Sequence, residues 1–163
     1  MKIKVAYFGM FTALALIFSY IESLIPISFG IPGIKLGVAN LMTIVALYRM
    51  GTKEACCLSV LRILLSGLMF GNLFSIVYSL AGGMLSLLIM VLLKKTNQFS
   101  VIGVSIAGGT FHNIGQLIVA MIVLESGSIF HYFPVLIIAG MLTGFVIGFI
   151  SSETMRRIIK LHL

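Results

Sequence analysis

Apolar positions run along this chain in long blocks, broken by short clusters of Gly, Pro, Asn and charged residues. A helix rises about 1.5 Å per residue, so crossing about 30 Å of hydrocarbon takes roughly 20 residues. The blocks predict six helical segments: Val5–Pro26, Leu36–Met50, Glu54–Phe70, Leu73–Leu93, Val101–Leu124 and Tyr132–Ile150. The second is short, and either tilts little or starts inside the preceding turn, residues 27–35, which holds Pro32 and two glycines. The sixth continues as a helix into the basic tail. The first reads as a retained helix, because its apolar run is too long for a signal peptide and no small-x-small cleavage site precedes the first polar turn.

Composition turns these helices into membrane spans. The chain is 60% hydrophobic and only 9% charged, whereas soluble domains carry about a quarter charged residues. The expected fold is all-α, a single six-helix transmembrane bundle over residues 1–163. The net charge of +7 does not point to nucleic acid, since the basic residues sit at segment ends rather than on a polar surface. With the N-terminus inside, Lys2, Lys4, Arg49, Lys53, Lys94, Lys95, Arg156, Arg157 and Lys160 are all inner; Lys35 is outer and Arg62 lies within a segment. The positive-inside rule then places both termini in the cytoplasm and the protein in the cell membrane, with the inner cations available to anionic lipid.

Small residues recur at spacing four, which lets helix backbones approach closely in lipid. Gly140, Gly144 and Gly148 do so in segment six, and Ser75, Ser79 and Gly83 in segment four. Packing inside the bundle accounts for these. Ala6, Gly9 and Ala13 on the first segment form a candidate docking face for another membrane subunit.

Arg62 is the outstanding polar position. A cation near mid-membrane costs about 2.5–3.5 kcal/mol on insertion scales, and polar groups at that depth face a bundle interior. Two readings stay open: an ion pair with Glu22 or bonds to loosened carbonyls, and an anion-binding role. Asn40, His112, Asn113, Gln116, Asn72 and Glu22 lie on other segments, at mid-depth or in the outer half, and together they are the candidate lining of a pocket open to the outside. Asn40 and Asn72 equally suit helix capping, and His112 with Gln116 suits bonding between helices. His131 and His162 read as surface residues.

Absences narrow the function. All four acids are glutamates and no Asp is present. No GxxxxGK[ST] loop for ATP, no Ser-His-acid set and no metal cluster is legible, so no cofactor is expected. The adjacent Cys56 and Cys57 read as free thiols. Size and the lack of a charged ring argue against a channel.

The run IKLGVANLMTIVALYRMGTKEACCLSVLRILLSGLMFGN, with YSLAGGMLS and GVSIAGGTFHNIGQLIVA after it, resembles a family of small bacterial membrane proteins. That family is labelled heptaprenyl diphosphate synthase component I, or Gx transporter. It in turn looks like the substrate-binding S components of energy-coupling factor transporters. The second likeness implies a non-enzymatic subunit that binds a small anionic or amphipathic molecule, such as a vitamin, isoprenoid or quinone precursor. Its partners would be a membrane coupling subunit and two ATPases. The first label implies a non-catalytic anchor for a soluble polyprenyl synthase. Trans-type synthases hold Mg²⁺ with Asp-rich motifs, which this chain lacks. A solitary facilitator is the third expectation.

Overall fold

Short connections make the chain fold back on itself repeatedly. The computed structural model describes residues 2–24, 37, 40–123, 125 and 127–161. They form six α-helices: α1 Lys2–Leu24, α2 Asn40–Arg49, α3 Thr52–Phe70, α4 Leu73–Thr96, α5 Val101–Val123 and α6 Phe133–Leu161, with a 3₁₀ turn at Gly127–Tyr132 before the last. The predicted turn at residues 27–35 with Lys35, the start of segment two, Leu124 and His162 lie outside the described residues.

Each connection has a local cause. Between α2 and α3, Gly51 takes φ 125°, a region that side chains disfavour, and its N–H donates to the Ala46 carbonyl. Between α3 and α4, Asn72 Oδ1 accepts the Ser75 N–H at 2.8 Å and caps the new helix. After α4, Asn97 adopts the left-handed conformation that ends many helices.

Packing runs in a ring. α5 lies tightly against both α4 and α6, α3 against α4 and α1, and α2 against α1, α3 and α6. Glycines set the closest approaches. A Cβ at Gly144 would stand 2.6 Å from the Ser105 carbonyl oxygen, and one at Gly115 would stand 2.8 Å from the Ala81 carbonyl oxygen. The glycine stripe of α6 is thus consumed by α5, as the packing reading expects.

α2 departs from the expected spans. With ten residues it is about 15 Å long, half a bilayer. Leu41 through Leu47 are all buried, so the helix is core on every side. Four helical stretches are long and apolar enough to cross a membrane: Val5–Leu24, Leu73–Thr96, Val101–Val123 and Ile129–Arg157. α2 falls short in length, and α3 is diluted by Lys53, Glu54 and Arg62. Elsewhere α4 runs past its expected end to Thr96, and α6 continues to Leu161, the expected extension into the basic tail.

Charge is sorted by end. Arg49, Lys53, Lys94, Lys95, Arg156 and Arg157 sit where α2, α4 and α6 finish and α3 begins. Two of these cations fix helix ends: Lys94 Nζ donates to the Leu47 carbonyl of α2 while lying 4.9 Å from the Tyr48 ring centre, and Arg49 donates to the Met155 carbonyl at 2.8 Å. Glu22 and Glu125 lie at the opposite end, where α1, α3 and α5 finish.

Candidate functional site

At the end away from the basic cluster, a cavity of about 290 Å³ opens among α1, α2, α3 and α4, with one residue from α5. Ser19, Glu22 and Ser23 come from α1, since spacings of three and four put all three on one face. Asn40 opens α2. Arg62, Ile63, Ser66, Gly67 and Phe70 come from α3, and Ser75 and Ser79 from α4. His112 reaches in from α5 because its neighbour on α4 is Gly82, where a Cβ would meet the imidazole Cε1 at 3.1 Å. Tyr20 packs on Phe70, ring centres 5.0 Å apart, and ties α1 to α3 beside the cavity.

Arg62 is 91% buried, its exposure being 9%. One end of its guanidinium is anchored: Nη2 donates to Asn40 Oδ1 at 3.0 Å. Its Nε has no hydrogen-bond partner among the described residues. Glu22, also on the lining, acts electrostatically on Arg62, and its carboxylate accepts the Gly37 N–H. A buried guanidinium with an unused donor costs free energy until an acceptor arrives.

The part of the lining that α1 supplies has the reverse polarity. Ser19 and Ser23 hydroxyls donate to the Ala15 and Tyr20 carbonyls at 2.9 and 2.7 Å. A hydroxyl has a single proton, so both oxygens turn acceptor lone pairs outward beside the Glu22 carboxylate. On the other wall, Asn40 accepts from Arg62 through Oδ1, which leaves its amide NH₂ as a donor. The start of α2 adds the positive end of a helix dipole there.

Of the residues singled out in the sequence, Glu22, Asn40, Arg62 and His112 come together on this cavity. Three stand apart. Asn113 turns to α6 and donates to the Leu136 carbonyl at 2.7 Å. Gln116, 2% exposed, is buried against Gly82 of α4. Asn72 is spent on capping α4. The serines of α1 and α4 were not singled out as site residues. Their signal was present, as Ser19, Glu22 and Ser23 share a face, but Ser75 and Ser79 read equally well as a packing stripe. Ala6, Gly9 and Ala13 are exposed on α1, with no atom near a Cβ at Gly9. Cys56 and Cys57 are free thiols. No group of His, Cys or acidic residues among the described residues is arranged to hold a metal ion.

No curated protein matches the chain. No solved structure matches it. The family model for heptaprenyl diphosphate synthase component I matches residues 11–154, nearly the whole bundle including every residue of the cavity wall, and the chain belongs to that family.

Proposed function

We propose that this protein is a membrane substrate-binding subunit, similar to an S component, that captures a small anionic or amphipathic molecule for uptake. The observation that carries the reading is Arg62, a 91% buried cation on the lining of a cavity large enough for a small ligand. In this reading the bundle spans the cell membrane six times, with α2 and the residues before it serving as one pass. Both ends are cytoplasmic, because the basic cluster marks the inner side. The cavity then opens outward, as an uptake receptor requires. Ala6, Gly9 and Ala13, small and exposed on α1, would meet a coupling membrane subunit that serves two ATPases.

The family description supports a second reading, a non-catalytic membrane component of a prenyl diphosphate synthase. Four glutamates and no Asp give no Asp-rich diphosphate motif, so catalysis would belong to a soluble partner. A solitary facilitator without ATPases is the third.

The test is purification of the tagged protein from its native membrane in mild detergent, with mass spectrometry of what accompanies it. Two ATPases and a membrane coupling subunit support the uptake reading. A soluble, Asp-rich prenyl synthase overturns it in favour of the second. Recovery alone, with a small molecule retained by wild type and absent from Arg62→Gln, supports the facilitator.

A further inference from the structure

Arg62 lines the cavity yet is 91% buried. An occupant that meets its guanidinium therefore needs a wall to give way. Most of the walls are fixed. α2 is buried from Leu41 to Leu47. α3, α4 and α5 interlock at their glycines: a Cβ at Gly67 would stand 2.2 Å from Ile76, one at Gly83 2.8 Å from Ile63, and one at Gly115 2.8 Å from the Ala81 carbonyl oxygen.

α1 is built differently along its length. Its inner half is seated in the core: Phe11, Thr12 and Ala15 are buried, and Phe11 and Ala15 share one apolar cluster with Leu41, Ile44 and Leu47 of α2. Phe18 is the last α1 side chain packed on that cluster, and beyond Ala15 no described residue of the helix is buried. There the cavity, lined by Ser19, Glu22 and Ser23, takes the place of core. Tyr20 on Phe70, 5.0 Å between ring centres, and the Glu22 carboxylate on the Gly37 N–H tie this end to its neighbours. Its outward side chains, Ile17, Ile21 and Leu24, are exposed and apolar. The Ser19 and Ser23 hydroxyls donate to carbonyls of α1 itself, so they travel with the helix and lose no hydrogen bond. The Ser19 bond to the Ala15 carbonyl also sets a bending point between the halves, because a hydroxyl on that carbonyl competes with the helical N–H.

We propose that the outer end of α1, from Ser19 to Leu24, is a hinged wall that swings into the surrounding lipid to admit the ligand to Arg62, and closes against α3 through Tyr20 and Phe70. This rests on the cavity being the ligand site and adds the element that moves.

The experiment needs no identified ligand. The full chain carrying Cys56→Ser and Cys57→Ser is placed in phosphatidylcholine nanodiscs. The first readout is access. Ser79→Cys puts a thiol on the cavity lining, and its rate of reaction with the anionic, membrane-impermeant 2-sulfonatoethyl methanethiosulfonate follows the open population. The second readout is distance between spin labels. Ile21→Cys with Ile118→Cys spans the outer end, and Met10→Cys with Leu92→Cys spans the inner end, all four sites being exposed. The expected result is two distances for the outer pair and one for the inner pair. Phe70→Leu removes the ring contact and should raise the ratio of long to short outer distances, and the labelling rate with it, by about 2–10-fold, the factor an aromatic pair contributes. Tyr20→Leu should do the same, and the double variant should go no further than either alone. A single narrow outer distance, unmoved by Phe70→Leu, overturns the hinged wall and leaves the ligand site to be judged by the molecule that co-purifies. Two outer distances with a labelling rate that ignores both substitutions overturn it too, because the wall then moves without admitting anything. Broadening of the inner pair in Phe70→Leu also overturns it, since the helix then loosens as a whole and has no hinge.

Discussion

Replacing Arg62 by Met separates a receptor cation from a structural strut. In the ligand-free protein, the unpartnered Nε costs about 1–3 kcal/mol, as any buried unmet donor does. Burying the charge itself adds a desolvation cost on the order of a few kcal/mol. Against this stand the bond to Asn40, worth about 1.5–3 kcal/mol as a charged hydrogen bond, and the attraction of Glu22. Met matches the volume roughly and removes both costs. It leaves Asn40 Oδ1 without its donor, a small loss because that residue is only half-buried and faces an open cavity. The balance predicts that Arg62→Met stabilises the empty protein by about 1–2 kcal/mol. A domain of this length shifts by about 2–4 °C per kcal/mol, so the melting temperature should rise by a few degrees. Thermal unfolding in nanodiscs, read by tryptophan-free methods such as cysteine accessibility at Cys56, gives the comparison. A fall equivalent to 3–5 kcal/mol, the usual cost of breaking a buried pair, refutes the reasoning and makes Arg62 a strut for Asn40 and Glu22.

Other substitutions test the frame around the cavity. Gly144→Ala puts a Cβ 2.6 Å from the Ser105 carbonyl oxygen and 2.7 Å from Ile106 Cα, both backbone; the helices must separate, costing about 1–3 kcal/mol. Gly103→Ala meets nothing nearer than 3.7 Å and should gain a few tenths to about 1 kcal/mol by helix propensity, so the same unfolding assay must rank the pair in opposite directions. Asn72→Ala loses the cap of α4 and should cost about 1 kcal/mol, with faster amide exchange confined to the first turn of α4. Gly51→Ala forces a side chain into φ 125° and should cost about 1–2 kcal/mol, measurable as a lower melting temperature with ligand affinity unchanged.

The sequence carried most of the helical plan and about half of the site. Long apolar blocks ended by Gly71-Asn72 or the polar stretch after Leu93 are hard to misplace, because the bilayer dictates their length. α2 is different. Its boundary depends on where the chain turns inside the bundle, and a ten-residue core helix has the same apolar signature as the end of a longer span. At the site, Glu22, Asn40, Arg62 and His112 were legible because charge and amide groups are conspicuous among apolar neighbours. Asn113 and Gln116 were equally conspicuous, but Asn113 turns to α6, while Gln116 shares the α4-facing side of His112 and packs on Gly82 without reaching the cavity lining. Which neighbour lies across each face of α5 is not encoded in any local stretch. The serines were quiet because the same residue serves packing and binding.

The burial of α2 has a consequence for how this protein tolerates change. Outward positions on α4 and α6, such as Leu88, Leu92, Ile138 and Phe149, are exposed apolar side chains. Lipid is fluid and conforms to whatever shape is offered, so substitutions there are constrained in polarity and almost free in volume. From Leu41 to Leu47 no face of the helix meets lipid. Every neighbour is another side chain, already close-packed, and a single methylene in excess or deficit is felt. A saturation-mutagenesis map would therefore be radial: permissive to any greasy residue at the rim, and as exacting along α2 as the centre of a soluble enzyme. Seven residues of a helix too short to cross a membrane would be those least free to drift.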